Sequence, residues 1–412
     1  MHSLALPPVR TIESTPAPPP DLSQDALLTG ICSTVLSSLP RSDQRRKGLQ
    51  YVRGLLGAEG RKSIRNIATV VGGQAAEQSL HHFIASSTWD WAPVRRALAQ
   101  HLARIAPPQA WVLRPMLIPK AGEHSVGVDR RFVPALGQML NAQQAIGVWA
   151  ASADSSYPVK WRLRLPEAWV DDQPRRSQAA IPEGLDAESL GDCAVAAFQA
   201  MTSQWGLPVR PVVLDARETD ALCLVRRLRA LGVPFLVRVG GPLQLTPAAA
   251  PFGARRTAEA APAWQLISSA RDLRRPVVDF GHATNTPRTS LVAGVPVRLP
   301  NCAGRAGQGE ELLLLGVSLP GQRHPAELWL TDLTQAQPAA LLRLARLLER
   351  VDRDFEQVAD QVGIRDFAGR SFSGWHRHVT LASTAHAVAM LRRSAGETRL
   401  RQVDETGLRQ AS

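Results

Sequence analysis

VRPVVLDARETDALCLVRRLRALGVPFLVRV, residues 209–239, is the stretch that decides the fold class. Its first apolar run ends in an acid, Asp215, and predicts a buried strand. DALCLVRRLRALG predicts a helix of about a dozen residues, with leucines and valines returning every three to four positions. VPFLVRVG predicts a second strand. Two buried strands joined by a helix read as a β-α-β crossover, the connection that parallel strands need. An acid at the carboxyl end of such a strand stands where open α/β sheets present their chemistry.

Upstream of this unit, WVLRPMLIP, NAQQAIGVWAAS and YPVKWRLRLP predict three successive strands, the last two joined by the turn ADSS. A helix from about Ala187 to Gln204 follows. The order β-β-β-α-β-α-β describes a ribonuclease H-like mixed sheet, so the expected class is α/β. In that fold, carboxylates at strand ends hold divalent metal beside a nucleic-acid backbone. Before the change of texture at Pro107-Pro108, residues 23–106 predict a helical domain, whose short helices and basic loops suit DNA binding but also a plain helical unit, and the Pro-rich residues 1–22 a disordered tail. In that domain PRSDQRRKG reads as a basic break, and Gly72-Gly73 as a helix stop. The ribonuclease H-like domain is expected in two parts, 107–240 and a helical completion over 336–394. They are separated by a mostly β insertion, 241–335, and followed by a C-terminal tail, 395–412.

The chain carries 48 Lys+Arg against 36 Asp+Glu, a net charge of +12. Only Lys47, Lys62, Lys120 and Lys160 are lysines. Arginine contacts phosphate oxygens in a planar, bidentate manner, so this balance suits a polyanion partner. A GC-rich coding bias accounts for the scarcity of lysine equally well. No apolar run approaches the roughly 18 residues that span a bilayer, and no secretory leader is apparent. Cys32, Cys193, Cys223 and Cys302 form no CxxC pair, which fits a reduced, cytoplasmic setting rather than a zinc site or disulfide framework.

RKSIRNIA followed by SLHHFIASSTWDW resembles the N-terminal helical region of insertion-sequence transposases with a DDE, ribonuclease H-like catalytic domain. IPKAGEHSVGV is similar to that family's DDTGFPKKGKHSVGV, and RLRLPEAWVDDQPRR to its LYLPESWADDPERR. VVLDARETD stands at the place of the second catalytic Asp, and LARLLERVDRDFEQVADQVGIRDFAGRSFSGWHRHVTLA at the region of the catalytic Glu. The resemblance runs from about Gly48 to Ala389. It implies DNA transposition chemistry with two Mg²⁺ ions held by three acids, and double-stranded DNA, element ends included, as substrate. A homodimer is left open as the assembly.

Carried over residue by residue, the resemblance implies a degenerate acidic triad. Asp215 is the second acid. The first falls on Arg114, beside Pro115. The family's RWRIEQDYEQLK aligns its Glu with Asp352 and its Lys with Ala359, and the acid of YEGRSW becomes Ala368. Asp366 lies two positions away, on another helix face. Glu123 and Asp129 are the nearest acids that could compensate. Asp215 and Asp352 are therefore the candidate catalytic and metal-binding residues, and each also reads as an ordinary helix-cap or solvated acid. Candidate DNA-contacting residues are Arg45, Arg46, Lys47, Arg61, Lys62, Arg65, Lys120, Arg370, His376, Arg377 and His378. For these the alternative is packing and surface charge, and His81-His82 reads as structural. Three functions stay open: a catalytically impaired DNA-binding member of the lineage, an active Mg²⁺-dependent strand transferase, and a non-enzymatic regulator or interaction protein.

Overall fold

A computed structural model describes residues 22–134, 136–248, 259–280, 287–300 and 311–410; all but the last residue of the expected N-terminal tail lies outside them. Five helices come first: α1 (Leu22–Val35), α2 (Ser42–Gly57), α3 (Ile64–Val71), α4 (Gln74–Ala85) and α5 (Trp91–Ile105). PRSDQRRKG does not break the chain, because α2 begins inside it. Gln44, Gly48, Tyr51, Val52 and Leu55 are its buried stripe, at the spacing that keeps one face of a helix inward. Arg45, Arg46 and Lys47 thus lie on helical turns rather than in a loop. α2 and α3 cross closely at Gly54, where a Cβ would collide with Ile67. Gly72 and Gly73, at φ 154° and 63°, end α3 as expected.

The sheet is built from β1 (Ala110–Pro119), β2 (Asp129–Val133), β3 (Gln138–Ala151), β4 (Ser156–Leu163), β5 (Val212–Asp215), β6 (Phe235–Val239), β7 (Gln244–Pro247), β8 (Ala261–Pro262), β9 (Arg275–Phe280), β10 (Pro287–Arg298), β11 (Leu312–Ser318) and β12 (Glu327–Thr331). Its order is β2-β3-β1-β5-β6-β12-β11-β10-β7-β8, with β4 also on β3 and β9 on β10. β3 runs antiparallel to β1 and β4, while β1, β5 and β6 are parallel. An antiparallel trio joined to a parallel pair is the ribonuclease H-like arrangement read from the strand order. β2, which closes a hairpin on β3, was not anticipated. Its sequence, DRRFV, is too charged to register as a strand.

The strands within residues 241–335 extend the same sheet, β12 lying directly against β6. The remaining helices are α6 (Glu167–Val170), α7 (Gln173–Gln178), α8 (Leu190–Thr202), α9 (Ala221–Ala230), α10 (Ala263–Ser269), α11 (Pro338–Asp354) and α12 (Phe372–Gln410). The expected C-terminal tail continues α12 as far as Gln410. α11 and α12 cover one face of the sheet: Asp352 of α11 meets Arg114 of β1, and Trp161 of β4 donates to Ser383 of α12. On the other face Lys160 of β4 lies over Trp205, just past α8. Trp111, Trp149, Trp161 and Trp375 are fully buried between these layers. No helix among the described residues is long and apolar enough to cross a membrane.

Candidate active site

The register places the site. Leu113 of β1 is level with Leu214 of β5, so the next residues, Arg114 and Asp215, are neighbours across the ladder. Asp215 is in turn level with Arg238 of β6. Val212, Val213 and Leu214 are buried, which drives β5 into the core and leaves Asp215 where the chain turns out toward α9. Arg114, Asp215 and Arg238 therefore form one row across three parallel strands, and α11 lies over it.

Arg114 is fixed from three sides. Its Nε donates to Asp352 Oδ1 at 2.8 Å, and its Nη1 donates to the Pro115 carbonyl at 3.0 Å. Its guanidinium lies 3.7 Å from the centre of the Phe355 ring, which Arg365 also approaches, at 5.5 Å. Phe355 opens a π-helical turn, Phe355–Ala359, at the end of α11. Such turns displace one side chain from the helical register and often occur at functional sites. Asp360, one residue further, pairs with Arg365 at 2.5 Å. Burial pushes its carboxyl above the usual carboxylate range.

Asp215 is occupied as well. Arg217 reaches back from two residues on, its Nη2 donating to Oδ2 at 2.7 Å and its Nε lying 3.0 Å from both carboxylate oxygens. That hydrogen bonding holds Arg217 above its ordinary pKa. Arg238 stands 3.9 Å from the same carboxylate and 3.4 Å from Glu327, and Glu327 is shared with Arg346, which pairs with Glu349 at 2.6 Å. Arg114, Arg217, Arg238 and Arg346 thus oppose Asp352, Asp215, Glu327 and Glu349. The charges are balanced by guanidinium groups.

The donor set does not fit a divalent ion. A hard cation needs several free oxygens converging on one point. Here both candidate acids already accept from arginine, and the neighbouring strand position, Arg114, carries a fixed positive charge. Among the described residues no group of three or more His, Cys, Asp or Glu side chains could hold a metal ion. Glu123 is exposed and Asp129 lies 3.6 Å from Arg164, so neither completes a cage.

The basic candidates divide sharply. His376, Arg377 and His378 are buried, and their expected role at phosphate is corrected. Arg377 donates to the Ile84 and Trp89 carbonyls. His378 lies between Tyr51 Oη and the Gly363 carbonyl. His376 stacks on Trp91, ring centres 4.9 Å apart. Burial lowers the pKa of both histidines, that of His378 to about 4, so they are neutral packing groups. The N-terminal half of α12, which carries all three, lies almost wholly in the core. Lys62 and Lys120 are also engaged. Lys62 Nζ donates to the Ala58 carbonyl, its backbone N–H to Asp366, and Lys120 Nζ to the Phe367 carbonyl at 2.6 Å. Lys47 is half-buried, while Arg45, Arg46, Arg61, Arg65 and Arg370 remain exposed.

Sequence reasoning missed Arg217, Arg238, Glu327, Arg346, Asp360 and Arg365. Arg217 had a local signal, since it follows Asp215 by two residues. Arg238 and Glu327 had none, because their meeting depends on β12 joining β6. The family described as DDE superfamily endonuclease matches residues 34–275, more than half of the 412-residue chain. No curated protein gives a significant match.

Proposed function

The chain belongs to the DDE superfamily of endonucleases, and from that premise we propose that it is a DNA-binding member whose phosphodiester chemistry is blocked. The observation that carries this reading is the Arg114–Asp352 ion pair at 2.8 Å. It puts a guanidinium beside Asp215, where the resemblance places the first catalytic acid. Two-metal catalysis needs both ions held against their mutual repulsion, and a fixed cation in that position opposes both. Phosphate contacts need arginine and not metal, so DNA binding survives the loss of chemistry. Arg45, Arg46, Arg61, Arg65 and Arg370 are the exposed candidates for those contacts. Arg61 and Arg370 belong to one region, since Lys62 and Lys120 both bond to the 366–367 loop.

Two measurements test the reading. Duplex DNA carrying inverted-repeat ends is incubated with Mg²⁺ and scored for nicking; the expected result is none above background. DNA affinity is measured against salt. Five phosphate contacts give a log–log slope of about −4.5 and a loss of roughly 500-fold between 50 and 200 mM salt. Mg²⁺-dependent nicking abolished by Asp215→Ala would restore the active-transferase reading. Affinity indifferent to salt would remove the DNA-binding one.

A further inference from the structure

Apart from the arginine–acid row, a cavity opens beside β4. It measures about 280 Å³ and is bounded by Trp91 and Arg95 of α5, Lys160 and Arg162 of β4, the 182–188 segment and the start of α12. Three observations set it apart from a packing gap. Arg95 is 1% exposed. It donates to Thr380 Oγ1, the Trp161 carbonyl, the His376 carbonyl and His376 Nδ1. Every one of these acceptors is neutral, and no carboxylate pairs with Arg95 among the described residues. A buried charge without a counter-ion is costly, so this one is held for a reason or is completed by something else.

Lys160 gives the second observation. Its amine lies 4.7 Å over the Trp205 ring and has no hydrogen-bond acceptor among the described residues. Burial and the neighbouring Arg95 and Arg162 bring its pKa down to about 8. Arg162, two residues on, projects from the same face of β4. It gives Nε and Nη2 to Glu188 at 2.6 Å each, leaving Nη1 unused. Third, one wall is aromatic: Trp91 stacks flat on His376, and Phe372 sits edge-on to both.

We infer that this cavity binds a small phosphate-bearing molecule, with Lys160 Nζ and Arg162 Nη1 as the donors to phosphate oxygens and Arg95 as the buried counter-charge. Five unused N–H groups on two residues exceed what one carboxylate accepts comfortably and suit the three oxygens of a phosphate monoester. The volume lies just below the usual range of small-molecule sites, roughly 300–1,000 Å³, and limits the occupant to a mononucleotide or something smaller. Glu183 and Asp186, both exposed, also line the cavity. Exposed carboxylates are screened over about 8–10 Å of salt solution, so a small anion can pass them.

Isothermal titration of the full chain with inorganic phosphate, adenosine monophosphate and adenosine distinguishes the sources. Binding of both phosphate-bearing probes, with adenosine inert, is expected. Tighter binding of the monophosphate assigns a nucleotide seated against Trp91, and equal binding assigns free phosphate. Lys160→Met keeps the side-chain length and removes the amine; it should weaken the phosphate-bearing probes about tenfold or more, the loss of one charge-assisted hydrogen bond. Independently of any variant, the chain's four lysines allow each to be followed by mass spectrometry after acylation, and phosphate should protect Lys160 selectively. No heat from any probe up to about 10 mM, adenosine binding as well as its monophosphate, or Lys160 labelled equally with and without phosphate would each overturn the inference.

Discussion

Replacing Arg114 by Asp tests whether the guanidinium stands where a cation belongs. The side chain is 18% exposed and packed on Phe355, whereas Asp352 is 59% exposed. Its removal forfeits a partly desolvated cation–π contact of about 1–2 kcal/mol and an ion pair of about 0–1 kcal/mol. The new carboxylate then stands beside Asp215 on the neighbouring strand, about 4.8 Å away in the ladder direction, adding repulsion of up to about 3 kcal/mol at an effective dielectric near 20. Without divalent ions the variant should therefore lose about 2–5 kcal/mol. Magnesium should return part of that loss. Arg217, which holds Asp215, is 51% exposed, so its surface pair is worth about 0–1 kcal/mol and yields to a competing ion. A site with Kd near 1 mM gains about 1.4 kcal/mol at about 10 mM Mg²⁺, a rise of roughly 1.5–2 °C in the melting temperature of a chain this long. The assay is thermal unfolding of wild type and variant with and without Mg²⁺ at matched ionic strength. Wild type should move by less than about 1 °C. A wild type that gains as much as the variant, or a variant that gains nothing, would refute the reasoning.

Two acids two positions apart should contribute unequally. Asp354 is buried and accepts from Ser156 N and Oγ, both at 2.8 Å, so Asp354→Ala should cost about 2–4 kcal/mol in urea unfolding; Asp352→Asn should cost less than about 1 kcal/mol. A loss at Asp354 no larger than at Asp352 contradicts the burial argument. Arg61→Ala and Arg65→Ala should each flatten the salt dependence of DNA binding by about 0.9 in log–log slope. Arg377→Ala should lower the melting temperature instead, and an unchanged stability would return Arg377 to the surface. His378 and His386 are held neutral by burial, each with a pKa near 4, below the ordinary 6.5. Their folded pKa is depressed, so the unfolded chain takes up protons first. Stability present above pH 6.5 is lost as pH falls toward 4, by up to roughly 1.4 kcal/mol per pH unit per histidine. Urea midpoints that stay level from pH 7 to pH 5 would show these rings to be solvated.

The parallel strands and their crossover were legible because buried strands bounded by turns leave a local apolar signature. So was the antiparallel trio, and with it the ribonuclease H-like class. The helical start of α2 was hidden by PRSDQRRKG, whose charges are the solvent face of an amphipathic turn rather than a break. Asp215 and Asp352 could be named in advance, because one ends an apolar run and the other falls in a motif. Their partners could not. Arg238 and Glu327 come together only through the β6–β12 ladder, and local pattern carries no information about which distant strand a sheet edge will receive. WHRHV reads as a phosphate-contacting cluster by composition, yet Arg377 donates to the Ile84 and Trp89 carbonyls of the helical domain and His378 lies between Tyr51 Oη and the Gly363 carbonyl.

The β6–β12 pairing also constrains how the chain can be made. The ladder that closes β6 is supplied only once Glu327–Thr331 has been synthesised. Until then Phe235, Leu236, Val237 and Val239 lie on an open strand border, an apolar template for other chains. A polypeptide released near residue 275 would keep that border permanently. It should collect in the insoluble fraction however well its own helices and first strands form.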